Sequence, residues 1–317
     1  MASVDPEIVS RLRCPVCAGS LASATAGTAQ ALRCPRGHSF DIARQGYVNL
    51  LAGRTPHTGD SAAMVAARAD FLAAGHYDVV SSALADAAAR ALADHRPSTG
   101  TPTDRATPTD PAPARPTPTD TVPAGGAYPL VVEPGAGTGR HLAAVLAALP
   151  DAVGLALDVS KPALRRAARA HPRAGAALAD TWQRLPLADA SVAVLVNVFA
   201  PRNGAEFRRV LDPTGTLLVV TPVADHLAEL VDALDLLRVD PAKAERVAGS
   251  LAGHFTGIGT TQHRARLTLT RSEVETLVGM GPSAWHTEPA RIAARIAALA
   301  EPVTVTAAVQ LSRYRPA

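Results

Sequence analysis

Residues 130–158 read LVVEPGAGTGRHLAAVLAALPDAVGLALD. A short apolar run, Leu130, Val131 and Val132, ends on Glu133. Three glycines follow at alternate positions, Gly135, Gly137 and Gly139. Leu142, Val145, Leu146 and Leu149 then recur at helical spacing, and a second apolar run, 153–157, closes on Asp158. The pattern predicts strand, tight turn, helix, strand and terminal acid, half of a nucleotide-binding α/β unit. Glycine lets the backbone approach a ligand where a Cβ would clash, and the helix start turns unpaired N–H groups toward it. The dinucleotide fingerprint G-x-G-x-x-G needs glycine at position 140, which is Arg140. A P-loop needs Gly-Lys-Ser/Thr at the helix start, and none is there. The turn can also serve topology alone.

Outward from this unit, the chain has 317 residues, enough for one large and one small domain. Apolar residues make up 47% but aromatics only 3%, so alanine, leucine and valine must fill the core. Lys161 and Lys243 are the only lysines. A net charge of +3 permits an anionic partner without requiring one, since no dense basic block occurs. No signal-peptide pattern and no run of about 20 apolar residues is present, so a soluble, cytoplasmic chain without a membrane partner is expected.

All three cysteines lie before residue 35. Cys14-Pro-Val-Cys17 and Cys34-Pro-Arg-Gly-His38 form C-x2-C and C-x3-H pairs with sixteen residues between them. Two such pairs on tight turns can converge on one tetrahedral ion, and four protein ligands make a closed, structural zinc set. The alternative is three buried thiols and a surface histidine. A hairpin is expected between the pairs, and Phe40, Ile42, Tyr47 and Val48 are expected to complete the ribbon beside the metal.

Asp60 or Ser61 can cap a helix carrying Met64, Ala67, Phe71 and Leu72, with Gly75 as its stop. A second helix is expected from about Asp78, and Arg68, His76 and Tyr77 fall near the joint. Residues 97–127, with TPTD three times, read as a disordered tether. From 128 onward strands and helices alternate, which implies a parallel sheet with right-handed crossovers. Its ligand belongs beyond the C-terminal strand ends, where Glu133, Asp158, Asp180 and Asn197 fall. Asp158 can accept from ribose hydroxyls; Asp180 can accept from an adenine amine, with Trp182 to cover the ring. Helix capping is the competing role for each acid. Phe199 can stack on a flipped base, or it is a core aromatic at a strand end.

The G-x-G-x-G turn after an acidic strand end resembles motif I of S-adenosylmethionine-dependent methyltransferases. The metal pairs, FDIARQGYVNLL (40–51) and GDSAAMVAARADFLAAGHYDVV (59–80) together resemble the N-terminal half of the RlmA-type 23S rRNA (guanine-N1)-methyltransferases. The resemblance implies an α/β, Rossmann-like class I methyltransferase domain preceded by a zinc ribbon. The divisions expected are a ribbon for RNA recognition (1–51), a helical connector (52–96), the tether (97–127) and the methyltransferase domain (128–317). The family's connection is shorter at the tether. The resemblance further implies S-adenosylmethionine as cofactor, structural zinc, 23S rRNA of the large subunit as partner, a homodimer, and in some members protection against macrolides such as tylosin.

Carried onto this chain, the cofactor residues are Tyr77, Glu133, Gly135, Gly137, Thr138, Gly139, Asp158, Asp180, Thr181 and His226. Asn197, Phe199 and Pro201 are the substrate-side candidates, and Met280-x-Pro282-x-Ala284-Trp285 also matches the family. The general base is not identified; Asp60, Glu133 and His226 are candidates. Arg33, Arg36 and Arg44 of the ribbon are expected to meet phosphates. A small-molecule methyltransferase and a non-catalytic zinc-ribbon RNA-binding protein are the competing readings.

Overall fold

The computed structural model describes residues 4–26, 29–53, 57, 59–95, 128–236, 238, 240, 243–281 and 288–317. The tether, and Pro282, Ala284 and Trp285, lie outside the described residues. A one-turn helix α1 (Pro6–Val9) leads into the hairpin β1 (Ala22–Ala26) and β2 (Ala29–Arg33), to which β3 (Ser39–Asp41) adds as a third antiparallel strand. Then come β4 (Tyr47–Asn49), α2 (Ala62–Ala73) and α3 (Asp78–Ala93). The glycine unit forms β5 (Leu130–Pro134), α4 (Arg140–Ala148) and β6 (Val153–Asp158), and α5 (Lys161–Ala167) leads to β7 (Ala174–Leu178). There follow β8 (Val192–Val198), α6 (Gly204–Val210), β9 (Leu211–Pro222), α7 (Ala228–Leu234) and α8 (Lys243–Leu251). The last elements are β10 (Phe255–Leu269), α9 (Arg271–Gly279), α10 (Pro289–Ala297) and β11 (Val303–Pro316).

Eight strands make one sheet in the order β10-β11-β9-β8-β5-β6-β7-β4. The six from β9 to β4 run parallel, while β11 and β10 are antiparallel. The order reverses between β5 and β8, and that crevice is where an open α/β sheet places its ligand. Strand alternation divides the core in two. Val131, Val194, Val196 and Leu218 face one side, with Leu142, Val145 and Leu146 of α4 and Leu84 of α3. Leu130, Val132, Leu195 and Leu217 face the other, with Phe207 of α6. The all-buried β5 and β8 need both faces covered, which is why they read as unbroken apolar runs.

Tyr47 and Val48 do more than complete the ribbon. Val48 bridges Ile42 in antiparallel pairing, and Ala43 N–H donates to Tyr47 O at 2.8 Å. At the same time β4 pairs in parallel with β7, Tyr47 opposite Ala176 and Val48 opposite Ala177. Tyr47 enters one half of the core and Val48 the other, so the chain leaving the ribbon becomes an edge of the large sheet. The helices of 52–96 pack onto the core of the large sheet. Val80, Leu84, Ala87 and Ala88 of α3 are buried in the same core cluster as α4, and Phe71 and Leu72 of α2 join it. The ribbon docks on the opposite face, where Leu12, Leu32, Cys14 and Cys34 pack with Leu155, Leu157 and Leu187. Arg13 N–H donates to Pro186 O at 3.0 Å and Ala188 N–H to Arg11 O at 2.9 Å, which continues the contact through the backbone. Among the described residues no helix is long and apolar enough to cross a membrane.

Candidate functional site

The metal ligands come together. Cys14, Cys17, Cys34 and His38 place their ligand atoms within 4.8 Å of one another. His38 Nδ1 is 3.5 Å from Cys14 Sγ and 3.3 Å from Cys34 Sγ, and Cys17 Sγ is 3.7 Å from Cys34 Sγ. Zinc–ligand lengths imply tetrahedral edges of about 3.8 Å between sulfurs and about 3.5 Å from sulfur to nitrogen, so the four atoms fit one zinc ion. Burial opposes charge on Cys34, but the amides of His38 and Arg36 and the neighbouring thiol and imidazole outweigh it, bringing the pKa down to about 6. Thiolate is the form a metal needs. Arg33, Arg36 and Arg44 are all exposed on the surface of the ribbon.

The glycine turn lies at the switch point. Gly135, Gly137 and Gly139 have φ of +73°, +55° and +76°, the left-handed region that excludes most side chains. A Cβ on Gly135 would sit 2.5 Å from Ala200 Cβ, so this glycine lets the turn pass the loop after β8. Gly139 works differently, since its Cβ would fall 2.9 Å from Ala167 Cα, and it sets the approach of α4 to α5. Gly139 is also the N-cap of α4 and offers no side chain; Glu133 substitutes for the cap, accepting from Leu142 N–H at 3.0 Å. Thr138 is buried on the turn.

Asp158 clamps the turn to the next helix. One of its oxygens accepts from Gly137 N–H and the other from Ser160 N–H, both at 2.8 Å. Ser160 caps α5 through Ala163 N–H and donates its hydroxyl to Asp60 O at 2.8 Å. Asp180 accepts from Trp182 N–H at 3.0 Å and lies 2.9 Å from His57 Nδ1. Asp60 is ion-paired with Arg68, whose second nitrogen donates to Met280 O at 2.8 Å. Across the cleft, Ala308 N–H donates to His226 Nδ1 at 3.1 Å. His226 therefore carries its proton on Nε2, which faces Tyr77 Oη at 3.1 Å.

These groups enclose a cavity of about 790 Å³, within the size range of small-molecule sites. Tyr77, Glu133, Gly135, Gly137, Thr138, Asp158, Asp180, Thr181, His226, Phe199 and Pro201 all line it. Two sequence candidates stand back from it. Gly139 is the packing glycine just described. Asn197 is fully buried, its amide donating to Pro201 O at 2.9 Å and accepting from Arg202 at 3.1 Å. It braces the loop after β8.

The interior shifts the acids upward. Burial pushes Glu133 to about 8, with the Leu142 amide opposing and the nearby Asp158 adding to the rise. Burial also raises Asp158, against the two amides that favour its charge. His141, buried and 3.0 Å from Ser81 Oγ, is lowered to about 4 by burial and the nearby Arg140 and Arg68. His57 and His141 line the cavity without any motif to announce them. They arrive from a loop and a helix face, and only tertiary contacts bring them to the cleft.

Comparison with known proteins agrees with this geometry. Residues 12–55 match the RlmA N-terminal zinc-ribbon family. A Micromonospora griseorubida protein described as a putative 23S rRNA (guanine-N1)-methyltransferase is 68% identical over 314 residues, covering 99% of this chain and 100% of the relative. The 23S rRNA (guanine(748)-N1)-methyltransferase of Streptomyces fradiae is 48% identical over 309 residues, covering 98% of each. With ribbon, cleft and both flanks aligned end to end at such identity, the chain belongs to the family of 23S rRNA (guanine-N1)-methyltransferases.

Proposed function

We propose that this protein transfers a methyl group from S-adenosylmethionine to N1 of a guanine in 23S rRNA. The observation that carries the reading is the fusion of ribbon and cleft: His57 and Asp60, on the segment leaving the metal site, form part of the cavity wall. A ribbon so attached can present RNA to the cleft, a role with no counterpart for a small acceptor. The names of both relatives support the same acceptor.

The bound cofactor would supply an electrophilic methyl group on a sulfonium. The chain's part is to hold it and exclude water. Gly135 and Gly137 leave a Cβ-free floor, Asp158 and Asp180 offer acceptor oxygens at the ends of β6 and β7, and Thr181 and Tyr77 close the sides. Holding donor and acceptor in line supplies much of the acceleration in such a displacement. N1 of neutral guanine bears a proton that must be accepted. Glu133 keeps its own proton near neutral pH, and His226 directs Nε2–H to Tyr77, so we assign the acceptor role to Asp60 at the cavity wall.

We further propose, on the family resemblance, a cytoplasmic location with large-subunit RNA as partner, and a homodimer whose mass sedimentation would measure. Activity is tested by incubating tritiated cofactor with 23S rRNA lacking the modification, followed by nucleoside mapping. Label in 1-methylguanosine is expected, with the guanine named for the Streptomyces fradiae relative mapped first. Label confined to another nucleoside, or to small molecules, contradicts the proposal. Asp60→Asn should lower kcat at least tenfold with little change in cofactor affinity.

A further inference from the structure

Beyond the main cavity lies a second hollow of about 400 Å³. Trp182, Phe199, Pro201 and Arg246 line both, so the two spaces communicate along one wall. Arg202 and Ser250 line the outer hollow and not the inner one. Trp182 is 52% and Phe199 41% exposed, in a chain that has few aromatics. Phe199 has a φ of +51°, a conformation that costs energy for a bulky residue and persists only where its surroundings impose it. Here the imposition is visible: Phe199 N–H is held by Val220 O at 3.2 Å, and Asn197 ties the loop through Pro201 O.

Arg202 supplies the charge. Its guanidinium is half-buried, and its hydrogen bond goes to the neutral Asn197 amide oxygen at 3.1 Å. No carboxylate pairs with it among the described residues, and burial lowers its pKa. A desolvated guanidinium without a counter-ion, with donors left over, fits a bidentate anion. Arg246 lies on the same wall, paired with Asp240 in an exposed contact that an incoming anion can exchange at little cost. Aromatic faces beside fixed guanidinium groups are what a single-stranded nucleic acid uses, with bases on the rings and phosphates on the cations.

We propose that this hollow is a second nucleotide subsite, in which the nucleotide adjacent to the methylated guanine stacks its base on Trp182 and places its phosphate on Arg202. The inference rests on the RNA-methylation reading of the main cavity. Phe199 then stands between the two bases and keeps the target guanine apart from its neighbour. Stacking tolerates any base, so the subsite would secure the strand without reading its sequence.

The test uses the full-length protein, a hairpin RNA carrying the target guanine, and the same RNA with an abasic site on the 5′ or the 3′ side. Trp182→Ala should raise KM for intact RNA about tenfold, and one of the abasic RNAs should show a similar loss with the parent protein. That abasic RNA should cost the Trp182→Ala protein no further affinity, and Trp182→Phe should restore binding. Arg202→Gln should lower the slope of log affinity against log salt by about one. Circular dichroism and zinc content report whether each variant is folded, and cofactor affinity is measured separately without RNA. Losses that simply add would overturn the subsite while leaving guanine methylation intact. So would a Trp182→Ala defect confined to cofactor affinity, which would make Trp182 a cover for the cofactor. A parent protein that methylates no guanine would remove both proposals.

Discussion

Glu133 ends β5 with its carboxyl in the interior, accepting from Leu142 N–H and facing Asp158. Its pKa rises from 4.5 to about 8, so the folded chain keeps a proton that the unfolded chain releases. Folding then binds more protons than unfolding, and stability falls as pH rises between those two values, by up to ~1.4 kcal/mol per pH unit. Glu133→Gln keeps an oxygen for Leu142 N–H and removes the titration. Melting temperatures across pH 5 to 8 should decline more steeply for the parent than for the variant; parallel curves would contradict the buried, protonated acid. Gly135→Ala acts through shape, since its Cβ would meet Ala200 Cβ at 2.5 Å in a backbone conformation alanine resists. Cofactor affinity should fall at least tenfold with zinc content unchanged, and Ala200→Gly should recover part of the loss. Glycine spacing announced the turn. It did not separate Gly135, which clears the loop, from Gly139, which spaces two helices, because that distinction lies in what stands opposite each.

Among the elements, the ribbon and β4 carry the most information. The C-x2-C and C-x3-H pairs were legible because metal geometry demands tight turns with fixed spacing. The fate of Tyr47 and Val48 was not, since a three-residue strand has no periodicity to read. Their burial on opposite faces, and their pairing to Ala176 and Ala177, tie the metal site to the sheet edge. Cys34→Ser should therefore lose zinc and loosen β4 as well as the ribbon. Hydrogen exchange at residues 47–49 should accelerate in the variant, while β5 and β8 in the sheet centre stay protected. Stoichiometric zinc in the variant would contradict the ligand set; unchanged exchange at β4 would show that the edge holds without the ribbon.

For the whole molecule, the relevant quantity is where charge sits rather than its net value of +3. Arg33, Arg36 and Arg44 lie on the ribbon surface, and Arg202 and Arg246 flank the cleft mouth. If the ribbon grips phosphates, replacing its three arginines with glutamine should lower the salt slope of RNA binding by about two to three. The kcat at saturating RNA should hold near the parent value, because the cleft is untouched. An unaltered salt slope would move RNA recognition to another surface.

The chain by itself determined the α/β class, the glycine turn at its ligand end and the four metal ligands, because each rests on short-range spacing that local geometry dictates. His57 on Asp180, Glu133 as substitute cap, Asn197 as a brace and the union of ribbon with sheet were decided only by the tertiary structure. Each joins groups whose partners are selected by packing and by the need of buried polar groups for hydrogen bonds, which no local spacing encodes.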